Sequence, residues 1–231
     1  MTISGSTLVL VADTAQVLAT LPARRLGDSA EERRDRLVEA ADRDDFTAAR
    51  LLASLAHRAL TGDAFEAEEI VQRCDTCGGP HGRPLPTAAG LRLSWSHAHG
   101  RVAAAAGRRR LGVDLETRSA VTEDLLAVAL SPAERRAVTA AADRDTAFLL
   151  AWTAKEAAVK AGAADLDGFS RLTVLADDGT LLPRRGALGL EARVGDGLVA
   201  ALASEEPGVW RGIDGCGRLV PADVGTVGGA A

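Results

Sequence analysis

Acidic residues interrupt two apolar segments of this sequence. Asp114 and Glu116 lie two apart in LGVDLETRS, and Glu156 and Lys160 lie four apart in AWTAKEAAVK. Residues two apart in a strand, or four apart in a helix, share a face. Neighbouring buried carboxylates repel each other, and a divalent cation such as Mg²⁺ offsets both this repulsion and the cost of burial. The spacing therefore indicates a metal site with three carboxylates and a nearby lysine.

Each pattern also has an ordinary structural explanation. Glu156 and Lys160 would form an exposed helical ion pair worth only about 0.3–0.5 kcal/mol, and the two strand acids would face solvent. Two further features favour a functional site: Trp152 shares the helical face of Glu156, and a Ser-His pair stands at Ser96 and His97.

The composition is that of a globular protein with an aliphatic core. Of 231 residues, 47% are hydrophobic and 26% charged, whereas aromatic residues contribute 3%. This length predicts one large domain or two small ones. The net charge of -5 disfavours a surface for nucleic acid, and no apolar run is long enough to predict a membrane span. An odd number of cysteines and an N-terminus with no Lys or Arg before its apolar run lead us to expect a cytoplasmic protein.

The first half of the sequence predicts a strand, a long helix and a hairpin. STLVLVAD is typical of a buried strand, and apolar residues recur at helical spacing from Phe46 to Leu60. LRLSWSH and RVAAAA predict further strands. We also expect residues 101–116 to form a hairpin that turns at Gly107 and the following arginines.

The second half repeats this plan. A short helix is predicted near 122–130, a second begins at Ser131, and a third runs from about 145 to 161 and ends at Gly162. FSRLTVLADDGTLLP predicts two strands joined at an Asp-Gly turn, and LVAALASE predicts another strand. The small residues of DVGTVGGAA predict a frayed tail.

These elements predict an α+β fold of two similar lobes, residues 1–109 and 110–231. Each lobe would contain a small, mostly antiparallel sheet and one long helix. The two halves show no close sequence repeat, so the similarity is predicted at the level of structure alone.

Motifs in a fixed order resemble the 4′-phosphopantetheinyl transferases of the surfactin-synthetase-activating type. GVDLE resembles the acidic strand of that family, and WTAKEAAVK resembles its Trp-x-x-Lys-Glu helix. GRP and SWSH resemble two elements that precede the acidic strand, and LSPAERR resembles a connecting Ser-x-x-Glu element. The resemblance covers roughly residues 30–205. It implies a monomeric pseudo-dimer of two α+β lobes with coenzyme A in the cleft between them.

The resemblance also implies a reaction, that of a holo-acyl-carrier-protein synthase. The 4′-phosphopantetheine of coenzyme A would pass to a serine of an apo acyl or peptidyl carrier protein, and adenosine 3′,5′-bisphosphate would be released. Mg²⁺ would be the metal, with Mn²⁺ as the alternative. Carrier domains of polyketide, nonribosomal peptide, siderophore or fatty acid synthases would be the partners.

The resemblance assigns roles to individual residues. Asp114, Glu116 and Glu156 would hold the metal on the pyrophosphate. Glu156 would act as base toward the carrier serine, and Lys160 would stabilise the leaving phosphate, so that Asp114, Glu156 and Lys160 form the catalytic group. The implied coenzyme-binding residues are Arg33, Arg36, Arg83, Ser96, His97, Lys155 and Lys160.

A cysteine pair lies outside these motifs. CDTCGGPHG places Cys74, Cys77 and His81 close together, and Cys-x-x-Cys is half of a zinc knuckle. No fourth ligand is evident from the sequence, so we favour a turn without a metal. His99, which follows the Ser-His pair, has no assigned role.

Two other functions are compatible with the sequence. A metal-dependent nuclease also combines paired acids with a lysine, although here the lysine lies four residues after the glutamate on a predicted helix and the chain is acidic. A non-catalytic module that binds coenzyme A would keep the fold without turnover, although the three acids and Lys160 are all present.

Overall fold

The computed structural model describes residues 5–22, 25–164, 166–195, 197–223 and 225–226. Within them, two five-stranded sheets, a two-stranded hairpin and six α-helices form a mixed α+β fold. Most of the tail DVGTVGGAA lies outside the described residues. Among those described, no helix combines the length and the apolar character needed to cross a membrane.

The elements of the first half precede residue 108. They are β1 (Thr7–Asp13), α1 (Thr14–Thr20), α2 (Asp28–Asp35), α3 (Ala40–Thr61), a 3₁₀ turn (Ala67–Glu69), β2 (Gln72–Arg73), β3 (Arg83–Pro84), β4 (Arg92–Ala98) and β5 (Arg101–Gly107).

The elements of the second half begin at Leu111. They are β6 (Leu111–Thr117), α4 (Glu123–Ala129), α5 (Pro132–Ala140), α6 (Arg144–Lys160), a 3₁₀ segment (Leu166–Arg171), β7 (Arg184–Arg185), β8 (Leu188–Gly195), β9 (Leu198–Ser204), β10 (Gly208–Ile213), β11 (Leu219–Pro221) and β12 (Gly225–Thr226).

The first sheet has the strand order β11-β10-β1-β5-β4 and is covered by α3. Its pairs are antiparallel except for β1 with β10. Helix α3 buries a largely apolar face that includes Phe46, Leu52 and Ala56, as expected for an amphipathic helix against a sheet. It ends at Gly62, whose φ of 77° allows the left-handed turn that stops the helix.

The second sheet has the order β12-β8-β9-β6, with β7 paired to β8, and is covered by α6. Every pair in it is antiparallel. The two sheets also pack face to face. Val9 and Ala105 of the first sheet share an apolar cluster with Val113, Leu115 and Leu202 of the second, and this cluster holds the two halves together.

Both halves use the same order of elements. In the first half, strand β1 is followed along the chain by helix α3 and the hairpin β4-β5, and the strands lie in the sheet in the order β1-β5-β4. In the second half, strand β6 is followed by helix α6 and the hairpin β8-β9, and the strands lie in the order β6-β9-β8. Strands β10 and β11 return from the end of the chain to the first sheet. The division between residues 109 and 110 stays a prediction.

The predicted hairpin over residues 101–116 is wrong. Strand β5 pairs with β1 on one edge and with β4 on the other, so neither edge is free for β6. Strand β6 pairs with β9 instead. The arginines 108–110 therefore carry the chain from one sheet to the other.

The predicted pair of strands around the Asp-Gly turn is reduced to a single bridge between Leu175 and Leu181. The turn itself forms, because Asp178 accepts hydrogen bonds from the amide and hydroxyl of Thr180. The amides of Val174 and Leu175 donate to a carboxylate oxygen of Glu134, so these donors are not available to a neighbouring strand.

Candidate active site

Asp114 lies on β6 with its side chain only 5% exposed. Its Oδ1 accepts hydrogen bonds from Ser96 Oγ at 2.7 Å and from Lys160 Nζ at 2.7 Å. Its Oδ2 is buried and has no hydrogen-bond partner among the described residues. Since an unpartnered buried carboxylate oxygen is costly, this oxygen is a candidate donor to a bound cation.

Lys160 reaches Asp114 because α6 packs very close to β6. A Cβ added at Gly112 would lie 2.1 Å from the carbonyl oxygen of Ala157 and 2.6 Å from the amide nitrogen of Ala161. Only glycine fits there. Gly112 therefore lets the last turn of the helix approach the strand and brings Lys160 to Asp114.

Glu116 and Glu156 extend the acidic group around Asp114. Burial raises the pKa of Glu116 to about 6; the charge of Asp114 adds to this, and Lys160 opposes it. Burial likewise raises the pKa of Glu156, again with Asp114 adding and Lys160 opposing. Three carboxylates thus share one lysine, an arrangement with excess negative charge.

The three acids fit a hard divalent cation by their chemistry. Carboxylate oxygens are the ligands that Mg²⁺ and Mn²⁺ prefer, and the free Oδ2 of Asp114 is a ready donor. The carboxylate oxygens of Asp114, Glu116 and Glu156 are not all within 4.8 Å of one another. A cation held by all three would draw their oxygens closer together.

A cavity of about 680 Å³ adjoins the acids, within the size range of small-molecule sites. Four of the predicted site residues line it: Arg33, Arg36, His97 and Glu116. The lining also includes the acids Asp42 and Asp45. Guanidinium groups bind phosphates and carboxylates bind metal ions, so this mixture fits a ligand that carries phosphates and a metal ion.

Arg50 is a residue of this region that the sequence analysis missed. It is 2% exposed and donates to the carbonyl of Phe46 at 2.9 Å and to Gln72 Oε1 at 3.2 Å. Within the described chain no carboxylate pairs with it, and burial together with Arg33 lowers its pKa to about 9. The sequence does contain a sign of this residue, because an arginine inside the apolar run AARLLAS predicts a buried charge.

His97 faces the same cavity from the end of β4. Burial by the surrounding protein is the main cause that lowers its pKa, with Arg50 and Lys160 acting in the same direction and Asp45 opposing. This shift favours the neutral ring, which presents one donor and one acceptor nitrogen.

His99 has a structural role in the turn between β4 and β5. Its φ of 46° is left-handed, as is that of Gly100. Its Nδ1 shares a 2.8 Å hydrogen bond with Thr117 Oγ1. Asp45 holds the turn by accepting from the amide of Gly100 at 3.0 Å and from the hydroxyl of Thr14.

A second cavity, of about 560 Å³, contains the predicted residues Arg83 and Lys160. Arg83 lies at the end of α6, where a Cβ added at Gly162 would be 3.0 Å from its Nη1. Gln72 also lines this cavity and accepts a hydrogen bond from Arg33 at 3.1 Å. Arg83 and Arg33 therefore face different cavities, with Gln72 between them.

Lys155 does not belong to this site, which corrects the expectation that it binds the coenzyme. Its side chain has no exposure, and its Nζ lies 2.7 Å from Glu134 Oε2 and donates to the carbonyl of Ala129 at 2.8 Å. Trp152 likewise packs against Phe169, with ring centroids 5.1 Å apart. Lys155 thus faces the core of the second half, and Trp152 packs partly buried against the same core.

Comparison with known protein families gives a match in the second half of the chain. Residues 110–190 match the 4′-phosphopantetheinyl transferase superfamily, and this segment contains Asp114, Glu116, Glu156 and Lys160. The chain matches no curated protein. The family match supports phosphopantetheinyl transfer as the general class of reaction.

Proposed function

We propose that this protein transfers 4′-phosphopantetheine from coenzyme A to a serine hydroxyl of an apo acyl or peptidyl carrier protein. The observation that carries the proposal is Asp114, whose buried Oδ2 has no partner among the described residues. It lies at the centre of an acidic group, beside a cavity lined by arginines and within the segment that matches the superfamily.

The common order of elements in the two halves supports a pseudo-dimer of the surfactin-synthetase-activating type. In this proposal, residues 1–109 supply most of the first lobe, residues 110–231 supply the second, and the protein acts as a cytoplasmic monomer. Strands β10 and β11 then belong to the first lobe by pairing, although they come from the second part of the sequence.

The acids would hold one divalent ion, for which Mg²⁺ is proposed and Mn²⁺ is the alternative. Asp114, Glu116 and Glu156 supply hard oxygen ligands. When bound, the ion would neutralise charge on the coenzyme's pyrophosphate. Ser96 donates to Asp114 Oδ1, which leaves Oδ2 available and fixes the orientation of the carboxylate.

Glu156 is proposed to accept the proton of the carrier serine. The pKa of its carboxyl is raised chiefly by burial, and a general base works best when its pKa approaches the operating pH. The serine oxygen forms a bond to the phosphorus that bears pantetheine. The bond from that phosphorus to the bridging oxygen breaks, and adenosine 3′,5′-bisphosphate leaves with the electron pair.

Lys160 is proposed to stabilise the negative charge on this leaving group. Its ammonium already lies 2.7 Å from Asp114 and its side chain is 31% exposed, so it contacts Asp114 and still faces a cavity. Arg33, Arg36 and His97 would bind phosphates of the nucleotide in the first cavity. Arg83 would contact the coenzyme from the second cavity.

The proposal is tested by incubating the purified protein with coenzyme A, Mg²⁺ and a panel of apo carrier proteins, and measuring carrier mass. The panel would include carrier domains of polyketide, nonribosomal peptide, siderophore and fatty acid synthases. A Mg²⁺-dependent gain of one phosphopantetheine group supports the proposal and ranks the partners. Coenzyme binding with no gain on any carrier would favour a non-catalytic module, and the absence of both would overturn the proposal.

A further inference from the structure

The loop between β2 and β3 brings two cysteines and a histidine together on the surface of the first half. Strands β2 and β3 contain two residues each and, among the described strands, pair only with one another. A hairpin this short is not stable on its own in water. A cross-link within residues 74–82 would therefore add stability where the strand pairing supplies little.

The ligand atoms of Cys74, Cys77 and His81 all lie within 4.8 Å of one another. Cys77 Sγ is 3.1 Å from His81 Nε2. Within the described residues, no other group of three potential metal ligands from Cys, His, Asp and Glu is this close. This convergence is a property of the fold that the sequence spacing alone left open.

The backbone of the loop is shaped around Cys74. Its amide donates to the carbonyl of Gly79 and its carbonyl accepts from the amide of Gly78, both at 2.9 Å. These two hydrogen bonds fix the backbone of the Cys-x-x-Cys turn and with it the position of the first thiol.

Glycines allow the loop to close this tightly. Gly82 has a φ of 85°, and a Cβ there would lie 3.0 Å from Cys74 Cα. A Cβ at Gly79 would lie 3.2 Å from the His81 ring and 3.3 Å from Cys77 Sγ. A larger residue at either position would push the three ligands apart.

We propose that this loop binds one Zn²⁺ through Cys74 Sγ, Cys77 Sγ and His81 Nε2, with a solvent molecule as the fourth ligand. Two thiolates and an imidazole are the ligand types that zinc prefers, and all three are unsuited to Mg²⁺. Binding releases the two thiol protons to solvent. The partial exposure of the ligands leaves room for the solvent molecule.

The proposed zinc would fix the hairpin that carries Gln72 and Arg83. Gln72 Oε1 accepts hydrogen bonds from Arg33 at 3.1 Å and from Arg50 at 3.2 Å, and Arg83 lines the second cavity. The zinc site itself is independent of the transfer reaction. Only its consequence for coenzyme binding rests on the proposed function.

The test is the zinc content of purified protein that was loaded with Zn²⁺ under reducing conditions and dialysed against metal-free buffer. We expect about one zinc per chain in the unaltered protein, and several-fold less in Cys77→Ser and His81→Ala. Cys216→Ser is the matched control, because Cys216 is an exposed free cysteine outside the loop; it should keep its zinc. A zinc-free unaltered protein, or equal zinc in all variants, would overturn the proposal.

Two further readouts distinguish this site from the acidic one and from a disulfide. Co²⁺ should give thiolate-to-cobalt absorption that excess Mg²⁺ does not displace, and Asp114→Asn should keep it. Trypsin should cut after the exposed Arg73 several-fold more slowly with Zn²⁺ present, but not in Cys77→Ser. A Cys74–Cys77 disulfide that persists under these reducing conditions, in protein without zinc, would contradict the assignment, whether or not the protein transfers phosphopantetheine.

Discussion

Helix α6 carries two lysines five residues apart, and each lies 2.7 Å from a carboxylate. Lys155 and Glu134 are completely buried, and Glu134 also accepts from the amides of Ser131 and Val174. Lys160 is 31% exposed, and its partner Asp114 keeps one oxygen without a partner among the described residues.

The two pairs differ in whether the protein's own donors satisfy both carboxylate oxygens. In the first pair, donors of the protein satisfy the carboxylate. Burial acts to raise the pKa of Glu134, but the hydrogen bond and charge of Lys155, together with the amides of Val174 and Ser131, outweigh burial and lower the pKa. In the second, neighbouring acids add negative charge and one oxygen is left over. The first pair therefore connects α5, α6 and the segment after it, whereas the second belongs to the proposed binding site.

Breaking the buried pair should have the largest effect. Lys155→Met leaves the Glu134 carboxylate buried without its cation, and we expect a loss of about 3–5 kcal/mol in the free energy of unfolding. Urea denaturation followed by circular dichroism measures this. The matched control is Lys160→Met, which faces a cavity and should cost much less; equal losses in the two variants would remove the distinction between the pairs.

Removing one carboxylate from the acidic group should affect activity and leave the fold intact. Glu156→Gln keeps the shape of the side chain but removes the proposed base, so the transfer rate should fall about 100- to 1,000-fold. The measurement is the rate of carrier mass gain at saturating coenzyme A, with the unfolding midpoint as a control for folding. Unchanged turnover would refute the assigned mechanism.

Charge in the first cavity should set the affinity for the coenzyme. Arg33→Ala removes one phosphate contact and should weaken coenzyme A binding about 10-fold, as measured by calorimetric titration. Arg25→Ala is the matched control, since Arg25 is highly exposed and paired with Asp28. If the two variants bind equally well, the first cavity is not the nucleotide site.

The smallest predicted effect concerns stability and pH. The pKa of Glu116 is raised from 4.5 to about 6 in the folded protein, so its proton is held more tightly there than in the unfolded chain. This group therefore disfavours folding increasingly as pH rises from below 4.5 to above 6. Without added metal, Glu116→Gln should stabilise the protein by about 1 kcal/mol above pH 6, after allowance for solvent screening.

The measurement that checks this prediction is the stability gained by Glu116→Gln as a function of pH. It should shrink toward zero as pH falls below 4.5, since both carboxyl and amide are then neutral. Added Mg²⁺ should raise the unfolding midpoint of the unaltered protein more than that of the variant. A gain that is independent of pH would show that the amide packs better and that charge is not its cause.

Local patterns predicted the parts of this molecule that depend on nearby residues. Helix α5 begins with Ser131 as N-cap, as predicted from SPAE, and α6 stops at the predicted glycine because Gly162 adopts a φ of 84°. The two-residue repeat of a strand predicted that Asp114 and Glu116 share one face. The spacing of four residues in a helix predicted the same for Glu156 and Lys160. The family match covers these four residues, while their roles remain predictions.

What the sequence could not show depends on contacts between distant elements. Whether β5 pairs with β6 depends on β1, which occupies the other edge of β5. Lys155 and Glu156 are adjacent in sequence, and only the packing of α6 shows that Lys155 faces the core. The convergence of Cys74, Cys77 and His81 likewise requires the three-dimensional course of the loop.

The most direct test of the central claim is the affinity for coenzyme A with and without Mg²⁺, measured by calorimetry for the unaltered protein and for Asp114→Asn. The account predicts that Mg²⁺ tightens binding to the unaltered protein and has little effect on the variant, provided that circular dichroism shows both to be folded. An equal effect of Mg²⁺ on the two proteins would contradict the assignment of Asp114 as the centre of the site.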